Sequence, residues 1–234
     1  MNDYKQKYLQ MKNMYLDYRE LVYNQLGGAI YSDPEMNKSY SGSGIMLFEL
    51  HKGKPTVILF ENHRKNKSLY EDLGGGIDSD ELISKDPLKS TAIREAFEES
   101  RGLINISNPK HLEIYVDSQY KSKYYRNYLV GIKYEALIDD YNHNKSIIDK
   151  NSKMVNTMKE TFSIEKFYIN DLIKDGIMES IKGLSFLARN IDNKQKNIYT
   201  RTVDILQEAI SKDVIQKVVN KPIEFVQLKT LTSV

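Results

Sequence analysis

Residues 74–102 decide how this chain is read. They run Gly74-Gly75-Gly76-Ile77-Asp78-Ser79-Asp80-Glu81, cross a short polar stretch to Asp86-Pro87, continue to Arg94-Glu95-Ala96-Phe97-Glu98-Glu99, and stop at Gly102. Asp86 is a good N-cap, and Pro87 suits a first helical position, where its missing N–H costs nothing. Gly102 marks the helix end. On that helix Glu95, Glu98 and Glu99 are spaced i, i+3, i+4, which places three carboxylates within an arc of about 100°. Ile93, Ala96 and Phe97 fall on the opposite side as the face for a core. The triple glycine reads as a flexible turn whose backbone can approach phosphates closely. An ordinary surface helix also carries Glu opposite its apolar face, so the triplet alone is equally a solvated surface. Three adjacent carboxylates repel one another, however, and divalent cations would neutralise them.

Working outward, Ser43–Leu50 and Pro55–Glu61 read as strands joined by a turn at His51-Lys52-Gly53-Lys54, and Leu69–Leu73 as a short strand leading into the glycines. Asp33-Pro34 and the polar residues up to Ser43 read as a linker. Beyond the helix, Leu112–Asp117 and Tyr124–Tyr134 are strand-like, and residues 139–159 have few apolar anchors and read as an irregular excursion. Phe162–Ile169 reads as a strand and Asn170-Asp171 as the cap of a short helix. Arg201–Val219 reads as one amphipathic helix, and Ile223–Leu231 as a final strand.

The segment 74–102 resembles the signature of the Nudix hydrolase superfamily, Gly-x5-Glu-x7-Arg-Glu-U-x-Glu-Glu-x-Gly-U, where U is a bulky aliphatic residue. Gly75 and Glu81 match its first half. Arg94, Glu95, Glu98, Glu99 and Gly102 match its second, with Ala96 at the U position. Two spacings depart from the pattern. Twelve residues separate Glu81 from Arg94, which lengthens the loop around Leu82–Asp86, and Ser100 and Arg101 stand where one residue precedes the final glycine. Surface loops tolerate such insertions cheaply.

The resemblance implies an α/β fold, a Nudix-type α/β/α sandwich with a mixed sheet over residues 40–234, with an N-terminal helix (1–28) and a C-terminal helical extension. It implies a hydrolase that cleaves a phosphoanhydride bond with Mg²⁺ or Mn²⁺. Glu95, Glu98, Glu99 and the Gly74 carbonyl would ligate the metal, and Arg94 would orient the acidic cluster by pairing with Glu81 or Glu98. Gly75 and Gly76 would approach the substrate. A general base from a distant loop is expected, with Glu160 the first candidate and Glu165 the second. The substrate would be a small-molecule polyphosphate, either a nucleoside diphosphate derivative or a diphosphoinositol polyphosphate, or else capped RNA. A non-catalytic ligand-binding or scaffold module is the competing class, although such modules typically lack one or more of the glutamates present here.

Other signals are weaker. Arg64, Lys65 and Lys67 precede the glycines, and Lys121, Lys123 and Arg126 flank the later hairpin. In one cleft these would bind phosphates; on separate loops they are merely solvated. Tyr115, Tyr120, Tyr124, Tyr125 and Tyr128 could include a base-stacking ring, or could all be strand packing. The four histidines (His51, His63, His111, His143) show no ligand spacing.

Residues 3–26 read as a helix with Tyr4, Tyr8, Met11, Tyr15, Tyr18 and Val22 on an a/d seam. It would either dock on its own domain or form a homodimer. Its composition resembles a leader found on many giant-DNA-virus proteins. Across 234 residues the apolar content is 40%, the charged content 28% and the net charge +2, a balance that favours no nucleic-acid or membrane partner. With no cysteine, disulfides, thiol catalysis and thiolate metal sites are excluded. The absence of a long apolar run and of a secretory segment leads us to expect a cytoplasmic protein, in the host cytoplasm if viral.

Overall fold

A computed structural model describes residues 29–64, 67–120, 122–151, 156–179 and 185–225. The expected helix at 3–26, Lys65, Lys121 and the tail beyond residue 225 lie outside these.

The sheet forms around two strands whose apolar residues are contiguous rather than alternating, a pattern that demands cover on both faces. β2 (Lys38–His51) contains Ile45-Met46-Leu47-Phe48 and β3 (Lys54–Arg64) contains Val57-Ile58-Leu59-Phe60. All eight of these side chains are buried. The expected turn joins the two strands, with Lys52 and Gly53 both at positive φ (50° and 75°), as a tight two-residue hairpin requires.

β1 (Tyr31–Asp33) pairs antiparallel with β2, so residues 33–43 are a hairpin and not the linker expected from their polarity. The Asp33 carboxylate accepts the Glu35 and Met36 amides, which makes Asp33-Pro34 a turn signal. β4 (Lys67–Glu71) continues antiparallel along β3, and β5 (Leu73–Gly76) crosses to pair with the first half of β2. The three glycines are therefore strand residues, paired Gly74 to Gly44, Gly75 to Ser43 and Gly76 to Gly42. The flexible-turn reading is corrected: two glycine-rich strands lie side by side where side chains would not fit.

β6 (Tyr115–Tyr120) and β7 (Lys123–Lys133) form a hairpin, with β7 parallel to β2. β8 (Thr161–Tyr168) is antiparallel to β3. A second hairpin, β9 (Ser185–Arg189) and β10 (Gln195–Tyr199), joins β4 through β10, and β11 (Ile223–Glu224) lies parallel to β7. Among the described residues the result is one mixed sheet of 11 strands.

Helices cover both faces. α1 (Pro87–Glu99) and α2 (Leu137–Ile148) pack on the face that carries Ile45, Leu47, Ile58, Phe60, Tyr128 and Val130. α3 (Ile169–Glu179), α4 (Thr200–Ser211) and α5 (Ile215–Val219) cover the face of Met46, Phe48, Val57, Leu59, Leu129 and Phe167. This is the expected α/β class, a mixed sheet between helical layers. Two expectations change. Much of 139–159 is helical rather than irregular, since Leu137, Tyr141, Asn144 and Ile148 bury one face of α2. The helix expected over 201–219 breaks in two, where Asp213 takes φ 51° and the Val214 amide turns back to the Ala209 carbonyl. Among the described residues no helix is long and apolar enough to cross a membrane.

Candidate active site

The Asp86 side chain accepts the Lys89 amide and starts α1. Leu88, Ala92 and Ala96 form the face that meets the sheet, while Ile93 and Phe97 are only half-buried, a shift from the expected apolar side. Small residues at 92 and 96 bring the helix close to β2 and β5. The solvated-surface reading fails here, because Glu98 and Glu99 are 2% and 4% exposed.

Arg94 is the hub of the acidic cluster. Its Nε lies 2.8 Å from Glu81 Oε1 and 3.3 Å from Asp78 Oδ2. Its Nη1 lies 2.5 Å from Glu95 Oε1 and 3.5 Å from Glu98 Oε2, and its Nη2 donates to the Gly76 carbonyl at 2.8 Å. Despite the long spacer, Glu81 thus meets Arg94. Its second oxygen accepts the Asp78 amide (2.8 Å) and the Thr91 hydroxyl (2.7 Å).

Glu99 faces the glycine strand: the Gly74 amide donates to its Oε2 at 2.6 Å, and Asn62 Nδ2 to its Oε1 at 3.3 Å. Glu95 lies against Gly75, where a methyl group would overlap its carboxylate. Gly74 has equally little room, since a side chain there would strike the Tyr125 hydroxyl and the Gly44 backbone. Burial pushes the Glu95 carboxyl up to about 7 against the pull of Arg94, with Glu98 and Glu160 adding to the rise. Burial raises Glu99 well above the carboxylate range, and the negative charges of Glu95, Glu71 and Glu160 raise it further. Glu160, an exposed residue just before β8, therefore lies within electrostatic reach of both. Glu165 does not join them; it is held by Lys196 (2.7 Å) and by Asn190.

Sequence reasoning missed several neighbours. Glu71 is 2% exposed and raised by burial even though Arg64 Nε contacts both its oxygens at 2.8 Å. Arg64 is thereby tied to Glu71. Asp72 accepts from Asn127 Nδ2 and from Arg201 Nη2 (2.9 Å). The acidic pair Glu71-Asp72, set between Leu69-Tyr70 and Leu73 in a strand-like run, is an anomaly that the sequence already displayed. Nothing in the sequence marked Asn62 or Arg201. Arg126, by contrast, lies outside this cluster, ion-paired to Asp117 (2.9 Å) with its guanidinium 3.9 Å from the Tyr115 ring centre.

The residues that could hold a cation are Glu95, Glu98 and Glu99, with Glu71 and Glu160 nearby. Among the described residues no three acidic or histidine side chains converge into a ready-made metal cage. Mg²⁺ keeps several waters and takes one or two carboxylates plus substrate phosphates, so an ion of that kind would need only two of these side chains. The buried carboxylates that raise one another's proton affinity are hard oxygen donors with an excess of negative charge, so the residues fit such an ion.

No protein-family model matches the chain, and no curated protein does. Among solved structures it is similar to an Ap4A hydrolase of C. elegans in a binary complex, with 13% identity over 74% of this chain and 96% of that one and a TM-score of 0.40. It is also similar to the NUDIX domain of Shewanella oneidensis NrtR complexed with ADP ribose (15% identity, 82% and 97% covered, TM-score 0.41). The likeness to S. oneidensis NrtR itself has 13% identity over 76% of this chain and 67% of that one, with a TM-score of 0.43. At such identities and TM-scores the likeness says nothing of substrate or activity.

Proposed function

We propose that the chain is a divalent-metal-dependent hydrolase of the Nudix type, cleaving a phosphoanhydride bond in a nucleoside-diphosphate-linked or related polyphosphate. The observation that carries this reading is the placement of Glu95 and Glu99 against the Gly74-Gly75 backbone, with Arg94 bridging Glu81, Glu95 and Gly76. The strand that supports the site has no side chains for three residues, which lets the Glu95 and Glu99 carboxylates lie directly against its backbone.

Glu95 and Glu99 would hold Mg²⁺ or Mn²⁺, with Glu98 as a further ligand. The bound ion supplies neutralisation of phosphate oxygens and makes water more acidic. The protein's own part is positional. Arg94 fixes the Glu95 carboxylate by direct contact and keeps α1 tied to the β5 carbonyl at Gly76. The Gly74 amide and Asn62 fix both oxygens of Glu99. Glu160, exposed just before β8 and felt by both glutamates, would take a proton from the attacking water.

The test is a substrate panel with Mg²⁺ or Mn²⁺: nucleoside diphosphate sugars, dinucleoside polyphosphates, capped RNA and diphosphoinositol phosphates. Turnover of at least one is expected. Folded protein that cleaves none with either metal overturns the proposal.

A further inference from the structure

Next to the carboxylates lies a cation that the reaction as described does not use. Arg201, in the first turn of α4, is carried by the C-terminal unit formed by β9, β10 and α4. Its guanidinium lies over the Tyr125 ring, 4.1 Å from the centroid, and 5.3 Å from that of Tyr199. Tyr125 donates its hydroxyl to the Ser43 carbonyl at 2.9 Å and packs against Gly74, whose amide binds Glu99. Arg201 is thus one aromatic ring away from the carboxylate site.

One Nη2 bond to Asp72 balances its charge, but its Nε is buried without a hydrogen-bond partner among the described residues. The side chain keeps 20% of its surface exposed. A planar guanidinium stacked on the Tyr125 ring, bound to Asp72 through one nitrogen and still a fifth exposed, suits the oxygens of a phosphate. Arg64, whose guanidinium is also 5.3 Å from the Tyr199 ring centre, is already committed to Glu71.

We propose that Arg201 contacts substrate directly, binding the phosphate group that lies away from Glu95 and Glu99. The C-terminal unit then completes the site. This assignment rests on the phosphoanhydride reading above, and the experiment separates the two. Methylenediphosphonate, a non-cleavable P–C–P analogue, is titrated by calorimetry into the full-length protein with MgCl2, alongside kinetics on whichever panel substrate is cleaved. The proteins compared are the native chain, Arg201→Gln, Arg201→Lys and the double variant Arg201→Gln/Asp72→Asn, with Tm measured for each.

Arg201→Gln should weaken diphosphonate binding at least about tenfold, the size expected for a lost charge-assisted contact, and raise KM while kcat changes less than about threefold. Lysine should recover part of the affinity. The double variant removes both buried charges, so its Tm should return towards native while its affinity stays low. A double variant that binds as the native protein does, or a native protein that does not bind the analogue, overturns the assignment. Arg201-dependent binding without turnover of any substrate keeps the phosphate contact and discards the hydrolase; turnover indifferent to Arg201 does the reverse.

Discussion

Arg101 is the extra residue between α1 and Gly102, and Arg101→Met tests whether that insertion is a strut. The side chain is 1% exposed. Its Nη1 pairs with Asp149 at 2.7 Å, its Nη2 donates to the Thr161 carbonyl, and its Nε donates to the Tyr141 hydroxyl at 3.2 Å. Thr161 in turn donates its hydroxyl to the Glu99 carbonyl and accepts one from Tyr141. Methionine keeps most of the apolar stem, so the loss is polar. The Asp149 carboxylate is 43% exposed and rehydrates, so that pair contributes at most about 1 kcal/mol. The buried Thr161 carbonyl loses a charge-assisted donor, a loss of about 1.5–3 kcal/mol. Tyr141 keeps its bond to Thr161, and removing a buried guanidinium recovers part of the desolvation cost. We expect a net loss of about 2–3 kcal/mol. In urea, with a slope of about 2 kcal/mol/M, the midpoint should fall by about 1–1.5 M at unchanged slope. Asp149→Asn should shift it by less than about 0.5 M. An Arg101→Met midpoint within about 0.3 M of native, or an Asp149→Asn shift as large as that of Met, would refute the strut.

Three further outcomes follow from the site. Glu99→Gln should lower kcat at least about 10²-fold on any substrate the panel identifies, and an unchanged rate would show that the metal is placed wrongly. Gly74→Ala should cost at least about 1 kcal/mol in chemical denaturation, because the added methyl meets the Gly44 backbone and the Tyr125 hydroxyl; a neutral result would mean that the two strands are not held this close. The Glu95 carboxyl, raised to about 7 by burial, keeps a proton in the folded state that the unfolded chain releases near 4.5. Its contribution is full below the unfolded value and lost as pH rises through about 7. A cation at the cluster replaces that proton, so excess MgCl2 should raise Tm more at about pH 8 than at about pH 5. Equal shifts at both pH values would sink the cation assignment.

The elements legible in the sequence were those whose residues act locally. Asp86-Pro87 opens α1 because cap and proline chemistry are settled within one turn, and Lys52-Gly53 makes its hairpin for the same reason. What stayed hidden depends on partners distant in sequence. The glycines 74–76 read as a turn because their conformational freedom is visible locally, whereas Gly42 and Gly44, which make them a strand, lie about thirty residues away. α2 was obscured by its Asn, Asp and Lys residues, since four well-spaced side chains sufficed to bury it. At the site, the helix triplet was readable from its period alone. Its burial was not, because Asn62 and Glu71 enter from strands, and Arg201 enters from a helix that begins a hundred residues later.

The two irregular spacings in the glycine–helix segment show why a motif can stretch without losing its geometry. Glu81 is bonded to the Asp78 amide behind it and to Thr91 and Arg94 ahead of it. The intervening chain therefore has only to close a loop, at a cost that grows slowly with length. That loop bulges outward, leaving Ile83 90% exposed, and Asp86 restarts the helix. At the other end Arg101 takes a left-handed φ of 57°, which lets the chain leave α1 just beyond Glu99 and turn into Gly102. A left-handed non-glycine residue costs about 1–2 kcal/mol, and the contacts of the buried guanidinium offset it. Both insertions lie outside the arc from Arg94 to Glu99, so the carboxylates keep their spacing on an uninterrupted helix. The constraint falls on the direction of Glu95 and Glu99 relative to Gly74 and Gly75, and the number of residues spent on either side is free to vary.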